Sequence, residues 1–452
     1  MLGIVVSRAD EASVHIGEQL RSVADWTETR DAGRPDGEGG GTVYRTRGAE
    51  LREFDALHLE LSGVAAAFDG PDLVVFASRH AGETDELLTA HHTGNFGDAE
   101  YGGEAGRFAR ACPNAHSAVI EALAEHAPEA YEVGMECTHH GPTDVGAPSM
   151  FVEVGSAEPQ WEDPEAARAA ARAILEIRGV AADAPDENGT RRHLVGFGGG
   201  HYAPRFERVV RETDWAVGHV GADWSIEALG EWAGDSERRH DDVLRRAFEE
   251  SGAEYALLEA DRPELVERLE GLGYRVVDET FVRETSAVAL ELVDELESGV
   301  EPVADGLRFG TPATDDPSGW HVADLPAELL AEARAIDEAG VRDWVTRHAV
   351  AFGTEQNGTV VTGPVVLPDG TARERAIDAL AAILGKRYDS VERESGELIA
   401  REERFAPELA RTAGVPEGPK FGRLAEGQSV TVDGEEIDPE RFYRERIRRF
   451  TL

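Results

Sequence analysis

Short apolar runs, none longer than a strand, alternate with helical periodicity through roughly the first 295 residues. That alternation restricts the fold more than any other feature, because a strand that is apolar throughout has to be covered on both faces. The run 72-DLVVFAS-78 is of this kind, and 2-LGIVV-6 opens the chain with a shorter one. Ser7 and Asp10 follow at cap positions, and Ile16, Leu20 and Val23 recur at helical spacing. Leu57, Leu59 and Leu61 alternate with His58 and Glu60, which predicts a half-buried strand. Further strands are predicted at 131–138, 150–156, 193–198, 215–220 and 255–260. Helices are predicted at about 114–126, at 164–178 with Asp163 as cap and Pro164 in the first turn, and at 238–251. The expectation is an α/β protein with a three-layer, mixed or mostly parallel sheet.

Two stretches rich in Gly, Pro and acids, 26-WTETRDAGRPDGEGGG-41 and 179-GVAADAPDENGTR-191, are expected as surface loops. A helix near 284–297 is expected to close a first domain at 1–297. Residues 298–319 read as a linker, and 320–452 as a second, smaller α+β domain.

The chain has 452 residues, 45 Lys plus Arg against 89 Asp plus Glu, and a net charge of −44. The acids are spread throughout, and lysine occurs only at Lys386 and Lys420. Such a protein repels itself at low salt, and molar salt, with a Debye length of about 3 Å, screens the repulsion. Diffuse acidity with little lysine resembles the proteins of salt-accumulating halophiles. At ordinary salt −44 argues against nucleic-acid binding, and in a saline cytoplasm that argument loses most of its force. Cys112 and Cys137 have no CxxC spacing, which excludes a disulfide scaffold and fits a reducing cytoplasm. No apolar run approaches the roughly 20 residues of a membrane span, and the N-terminus lacks the features of a signal peptide.

Ten of the fifteen histidines lie between His80 and His219. His80 stands just past a predicted strand, His91 and His92 open 91-HHTGNFG-97, His139 and His140 follow a strand in 136-ECTHHGPT-143, and His201 lies in 196-GFGGGHYAPR-205. Ligands in open α/β sheets gather at the carboxyl ends of strands, so these loops converge on one rim. Imidazoles with Glu136, Glu153 and Cys137 nearby suit zinc with a position left for water. Such a metal lowers the pKa of its water toward about 7 and polarises an ester or amide carbonyl. The three glycines Gly198, Gly199 and Gly200 allow close approach of an anion or an oxyanion hole, or serve as a tight turn before a helix. Thr143 offers a hydroxyl beside Pro142, for orientation, for attack or for the turn itself. His15, His58, His116, His126, His240, His321 and His348 receive no role. The chain lacks GxSxG, HExxH, GxxxxGK[ST] and EF-hand motifs, which sets aside serine hydrolases of the α/β-hydrolase type, thermolysin-like proteases and P-loop enzymes.

Taken together, 2-LGIVVSRADEAS-13, 78-SRHAG-82, 91-HHTGNFG-97, 136-ECTHHGPT-143, 151-FVEVGS-156 and 196-GFGGGHYAPR-205 resemble the archaeal and plant type of D-aminoacyl-tRNA deacylase, in consistent order over roughly residues 1–290. The resemblance implies hydrolysis of the ester joining a D-amino acid to tRNA, zinc as cofactor, D-aminoacyl-tRNA as partner, and a fold similar to phosphorylase and peptidyl-tRNA hydrolase layers. It implies metal and catalysis near His80, His91, His92, Glu136, His139, His140 and His201. The working assignment puts His80, His91, His92 and His139 on the metal and Glu136, His140, Thr143 and His201 in catalysis. Gly198, Gly199, Gly200, Tyr202, Arg205 and Asn95 are placed against substrate. The protein is expected in the cytoplasm, without membrane contact, as a monomer. The alternatives are a zinc-dependent amidohydrolase or carboxypeptidase on small peptides or amino-acid conjugates, and a non-catalytic binding protein.

In the second domain, 414-GVPEGPKFGRLAEGQSV-430 is similar to a stretch in transfer-RNA 3′-processing metallo-hydrolases, or is a plain Gly/Pro loop. In 441-RFYRERIRRF-450, Arg441, Arg444 and Arg448 recur at helical spacing, as a phosphate-binding helix face or as a solvated helix pairing with the chain's own acids.

Overall fold

The computed structural model describes the chain apart from residues 186–188, 232–235, 316, 318 and 370–371, and apart from the side chains of 230–231 and 236–239. Part of the expected loop 179–191 and of the expected linker 298–319 therefore lies outside the described residues. The chain forms two compact units, Met1–Ser286 and Ala287–Leu452.

The first unit carries a mixed eight-stranded sheet. Its opening strand β1 (Leu2–Ser7) is buried along its whole length, as the unbroken apolar run requires. The helix α1 (Glu11–Val23) follows, capped by Asp10, whose carboxylate accepts from the Ser13 amide at 3.0 Å. Next come β2 (Thr27–Asp31), β3 (Gly41–Thr46), β4 (Ala49–Phe54), β5 (Leu73–Arg79) and β6 (Leu87–His92). The spatial order is β2, β3, β4, β1, β5, strand Ser149–Gly155, β6 and strand Glu132–Met135. β1 lies parallel to β4 and β5, and Ser149–Gly155 is parallel to β5 but antiparallel to β6. The helix α2 (Pro113–His126) starts at Pro113 and buries Ala115, Val119, Ile120 and Leu123.

The later strands form a second sheet, wholly parallel, in the order Ala216–Gly221, His193–Phe197, Tyr255–Leu258 and Arg275–Val277. The two sheets are joined just past Glu132–Met135. The Cys137 amide donates to the His201 carbonyl at 2.9 Å, the Ala203 amide to Met135 at 2.8 Å, and the Thr138 amide to Val220 at 2.8 Å. The α/β class expected from sequence is present, with a large mixed sheet and smaller sheets.

Several local expectations are corrected. Residues 57–61 form no strand: His58–Glu60 is a 3-10 turn closed by Glu60 N–H to Leu57 and Leu61 N–H to His58. The stretch 26–41 is only partly loop, since Thr27–Asp31 pairs with Gly41–Thr46 as a hairpin. Within 298–319, Arg308–Phe309 pairs with Ala351–Glu355, so this stretch is built into a sheet of the second unit, which also takes in the helix Leu290–Gly299. Residues 443–451 form a strand, the edge of a three-stranded sheet against Glu397–Phe405. Pairing with that long neighbour overrides the helical spacing of the arginines. Arg444 and Arg449 meet Glu408 at 3.7 Å and Glu397 at 3.0 Å, and Arg448 meets Glu332, so much of this positive charge is met by the unit's own acids. Residues 407–412 and 419–425 are short helices packed with the hairpin at 430–437 around Ala410, Val415, Leu424, Val430 and Phe442. No helix among the described residues is long and apolar enough to cross a membrane.

Candidate active site

A pocket of about 730 Å³ in the first unit is lined by Asp10, His58, Arg79, His80, Tyr101, His139, His140, Phe151, Glu153, His201 and Trp224, among others. A groove of about 820 Å³ along Met1, Asp72, Arg110 and Asp183 contains none of the histidines.

The histidine pocket is assembled from strand ends. His80 leaves β5, and it packs so closely on the end of Ser149–Gly155 that a Cβ at Gly155 would lie 2.7 Å from its own Cβ. His91 lies on β6 directly across from Phe151, and the two rings stack at 5.1 Å. Glu153 is two residues on from Phe151, on the same face. Glu136, His139 and His140 come from the segment that crosses to the second sheet, and His201 follows His193–Phe197 in that sheet. The expected convergence of strand ends is real, and the rim is shared by two sheets.

Glu136 is the hub. Its carboxylate, buried to 1% exposure, has Oε1 3.0 Å from His80 Nδ1 and Oε2 2.9 Å from His201 Nε2, with His139 Nε2 at 3.8 Å. Glu153 reaches His80 Nδ1 at 3.7 Å and His91 Nε2 at 3.8 Å. Tyr202 Oη sits 2.8 Å from His80 Nε2. Burial opposes charge on His80, His91, Glu136 and Glu153, and the pairings overcome it. Glu136 and Glu153 hold the His80 pKa up to about 11 and Glu153 raises that of His91. In return His201 and His80 push Glu136 well below the carboxylate range, and His80 and His91 bring Glu153 to about 2. His139 and His140 go the other way: burial first, then neighbouring imidazoles, lower His139 well below its ordinary value and His140 to about 4. Both are neutral at pH 7, the state in which imidazole binds metal.

The donor set fits a metal. His91 Nδ1 donates to its neighbour's carbonyl (His92 O, 2.9 Å), His139 Nδ1 to Cys137 O (2.8 Å) and His140 Nδ1 to Gly141 O (3.1 Å). Backbone bonds of this kind fix the tautomer and leave each Nε2 lone pair for an ion. His91 Nε2 is buried without a hydrogen bond, and among the described residues the buried Glu136 oxygens meet only the surrounding imidazoles. Ligand atoms of His91, His139 and His140 lie within 4.8 Å of one another, and so do those of His80, Glu136 and His201. Cys137 also neighbours His139 and His201, but burial pushes its thiol up to about 12, so it stays protonated.

Other assigned residues fall elsewhere. His92 points to the opposite face of β6 from His91, where it packs on His116 at 4.6 Å and its Nδ1 donates to the Gly218 carbonyl at 3.0 Å. Consecutive strand residues face opposite ways, so His91 alone of the two joins the imidazole–carboxylate cluster. The Thr143 hydroxyl accepts from the Glu104 amide at 3.0 Å and lines the other groove, which removes it as a nucleophile. Buried Asn95 donates to the Gly102 carbonyl at 2.9 Å and so anchors a loop. Arg205 is turned to the Glu259 carbonyl (2.7 Å) and Glu279 (3.3 Å). The Gly198 amide is bound to Gly221 O, and a Cβ at Gly199 (φ +80°) would lie 2.2 Å from a Glu259 carboxylate oxygen. The close approach these glycines permit is thus to the chain's own carboxylate. Asp10, His58, Phe151, Arg79, Tyr101 and Trp224 line the pocket without having been assigned to it; for Arg79 the adjacency in 78-SRH-80 was a usable signal.

Layered α/β sheets that bring a charge-coupled imidazole–carboxylate cluster to the floor of an open pocket define an enzyme built for acid–base or metal-assisted chemistry. Residues 67–277, which include all seven of the clustered histidines and glutamates, match the family model for D-aminoacyl-tRNA deacylase. The chain is 66% identical over its full length to the D-aminoacyl-tRNA deacylase of Haloarcula marismortui, covering 100% of both chains. It is 55% identical to that of Natronomonas pharaonis, again over 100% of both. The crystal structure of a conserved protein of unknown function, AF0625, superposes with a TM-score of 0.54 at 28% identity, covering 63% of this chain and 98% of that one. The chain belongs to the D-aminoacyl-tRNA deacylase family.

Proposed function

We propose that this protein hydrolyses the ester between a D-amino acid and the terminal ribose of tRNA, releasing both, with zinc held by His91, His139 and His140. The observation that carries the reading is the trio of imidazoles whose Nδ1–H groups are spent on backbone carbonyls beside the buried, anionic Glu136. Zinc, when bound, supplies a water of lowered pKa and polarises the ester carbonyl. Glu136 takes the proton of the attacking water, and His201, bonded to the same carboxylate and open to the pocket, passes it to the departing ribose hydroxyl. His80, fixed between Glu136 and Tyr202 and held charged, stabilises negative charge as it develops on the carbonyl oxygen. The pocket wall, with His58 and Phe151, selects the D side chain by leaving the L ester with its carbonyl misplaced.

The test is ester loss from D-tyrosyl-tRNA and L-tyrosyl-tRNA in high salt, with and without a zinc chelator. Fast, chelator-sensitive loss of the D form alone is expected. Loss of neither, in folded protein, transfers the site to small peptides or amino-acid conjugates. We also infer adaptation to saline conditions from the charge of −44, and the thermal midpoint should rise steadily with added KCl.

A further inference from the structure

Arg205 and Arg262 in the same unit are paired with the chain's own acids, Glu279 and Asp223. Arg79 is different. It is the one arginine or lysine among the residues lining the pocket, and no carboxylate pairs with its guanidinium among the described residues. Its guanidinium is held instead over the Trp161 ring, 5.1 Å from the centroid, and the Trp161 indole N–H is fixed to the His80 carbonyl at 2.9 Å. A planar cation that is stacked, unpaired and beside the catalytic groups is prepared for a phosphate.

A second observation concerns the pocket mouth. Four large hydrophobic side chains are exposed among the described residues, and the two aromatic ones, Tyr101 at 61% and Trp224 at 50%, both line this pocket. Both are held by the residues that sequence had placed in the chemistry. The Asp223 amide donates to the Gly199 carbonyl at 2.9 Å, which seats the helix bearing Trp224 on the glycine loop. Asn95 grips Gly102, and Thr143 grips Glu104, both directly after Tyr101 in the turn that carries it. Rigidly mounted, solvent-facing aromatics serve as stacking platforms for nucleic-acid bases.

We infer that Arg79 binds the phosphate, and Trp224 with Tyr101 the base, of the 3′-terminal nucleotide of tRNA, so that the ester is delivered to the histidine cluster. The inference rests on the deacylase reading and assigns the groups that recognise the RNA end of that substrate.

The experiment compares wild type with Arg79→Gln, Arg79→Lys, Trp224→Ala and Tyr101→Ala on D-tyrosyl-tRNA and on D-tyrosine methyl ester. Arg79→Gln and Trp224→Ala should raise KM for the tRNA by roughly tenfold or more. The loss in kcat/KM on tRNA should exceed that on the methyl ester by a similar factor. Arg79→Gln should also flatten the dependence of log KM on log salt by about one contact's worth, while Arg79→Lys and Trp224→Ala keep it. Equilibrium binding of uncharged tRNA closes the cycle. Removing the terminal nucleotide should weaken binding to wild type and have little further effect on Arg79→Gln or Trp224→Ala. Equal losses on tRNA and methyl ester, no loss on either, or an undiminished effect of the missing nucleotide in the variants would overturn the assignment. Trp224 and Tyr101 are exposed, so their truncation tests it even if the Arg79 variants fold poorly. A wild type that cleaves the methyl ester but not D-tyrosyl-tRNA refutes the deacylase reading itself, a separate failure.

Discussion

His91 and His92 are neighbours on one strand, yet they belong to clusters that share a residue type and almost nothing else. On one face His91 joins His80, His139, His140 and His201 around Glu136 and Glu153. On the other, His92 packs with His116 and His219, which are 1%, 0% and 0% exposed and pair with no carboxylate among the described residues. Burial, with neighbouring imidazoles adding to it at His92 and His116, drives the inner rings neutral: His116 falls to about 4, His219 to about 3, and His92 well below its ordinary value. Two buried carboxylates are what reverse the effect of burial at His80 and His91, while His139 and His140 beside them stay neutral. Acid neighbours, rather than histidine density, separate chemistry from packing here.

The largest expected break of this contrast is Glu136→Gln, which should lower kcat/KM on D-aminoacyl-tRNA by about 10²–10⁴ with the pocket intact. Steady-state kinetics on a variant with native circular dichroism checks it, and survival of more than a tenth of the activity removes Glu136 from proton transfer. Next come His139→Ala and His140→Ala, each losing more than about a hundredfold, beyond what a supporting hydrogen bond costs, together with bound zinc by metal analysis. The counterpart on the inner face is His116→Leu. Neither His116 nitrogen has a hydrogen-bond partner among the described residues, so an apolar side chain of similar size should leave turnover unchanged and hold or raise the thermal midpoint. A collapse of activity in that variant would erase the distinction between the faces.

The clusters should also respond oppositely to pH. The inner rings bind protons less readily folded than unfolded, so their contribution is full above pH 6.5 and is lost as pH falls through about 4. His80 binds its proton more tightly when folded, so its contribution is full below pH 6.5 and is lost as pH rises through about 11. A midpoint profile from pH 4 to 10 should therefore slope down at both ends, and His116→Leu should flatten only the acid side. The smallest effect belongs to Tyr202→Phe, which removes one bond to His80: about 0.5–1.5 kcal/mol, read as a several-fold change in kcat/KM.

The strand–helix order of the first unit was legible because strands such as Leu2–Ser7 and Leu73–Arg79 are buried on both faces and leave continuous apolar runs. Thr27–Asp31 was hidden because it has no buried residue, and 57–61 was misread because five alternating residues suit a turn as well as a strand. The pattern 441–450 shows the same ambiguity, settled by a nine-residue partner far away in sequence. For the site, the strand ends that carry histidine could be found, since chain direction alone sends those loops to one rim. Orientation could not. Whether His91 or His92 faces the carboxylate cluster depends on register, and whether Arg79 or Arg205 is available depends on which acids, Glu279 for example, fold up beside it.

The seam between the two sheets, where Cys137, Thr138 and Ala203 exchange amide bonds with His201, Val220 and Met135, has a consequence for biosynthesis. His80 waits 122 residues for Tyr202, and Glu136 has no His201 until the second sheet docks. Contacts this distant along the chain form late, after their loop-closure entropy is met. A nascent chain still emerging from the ribosome thus carries the family's motifs but no working centre, and activity marks completed assembly of the whole unit.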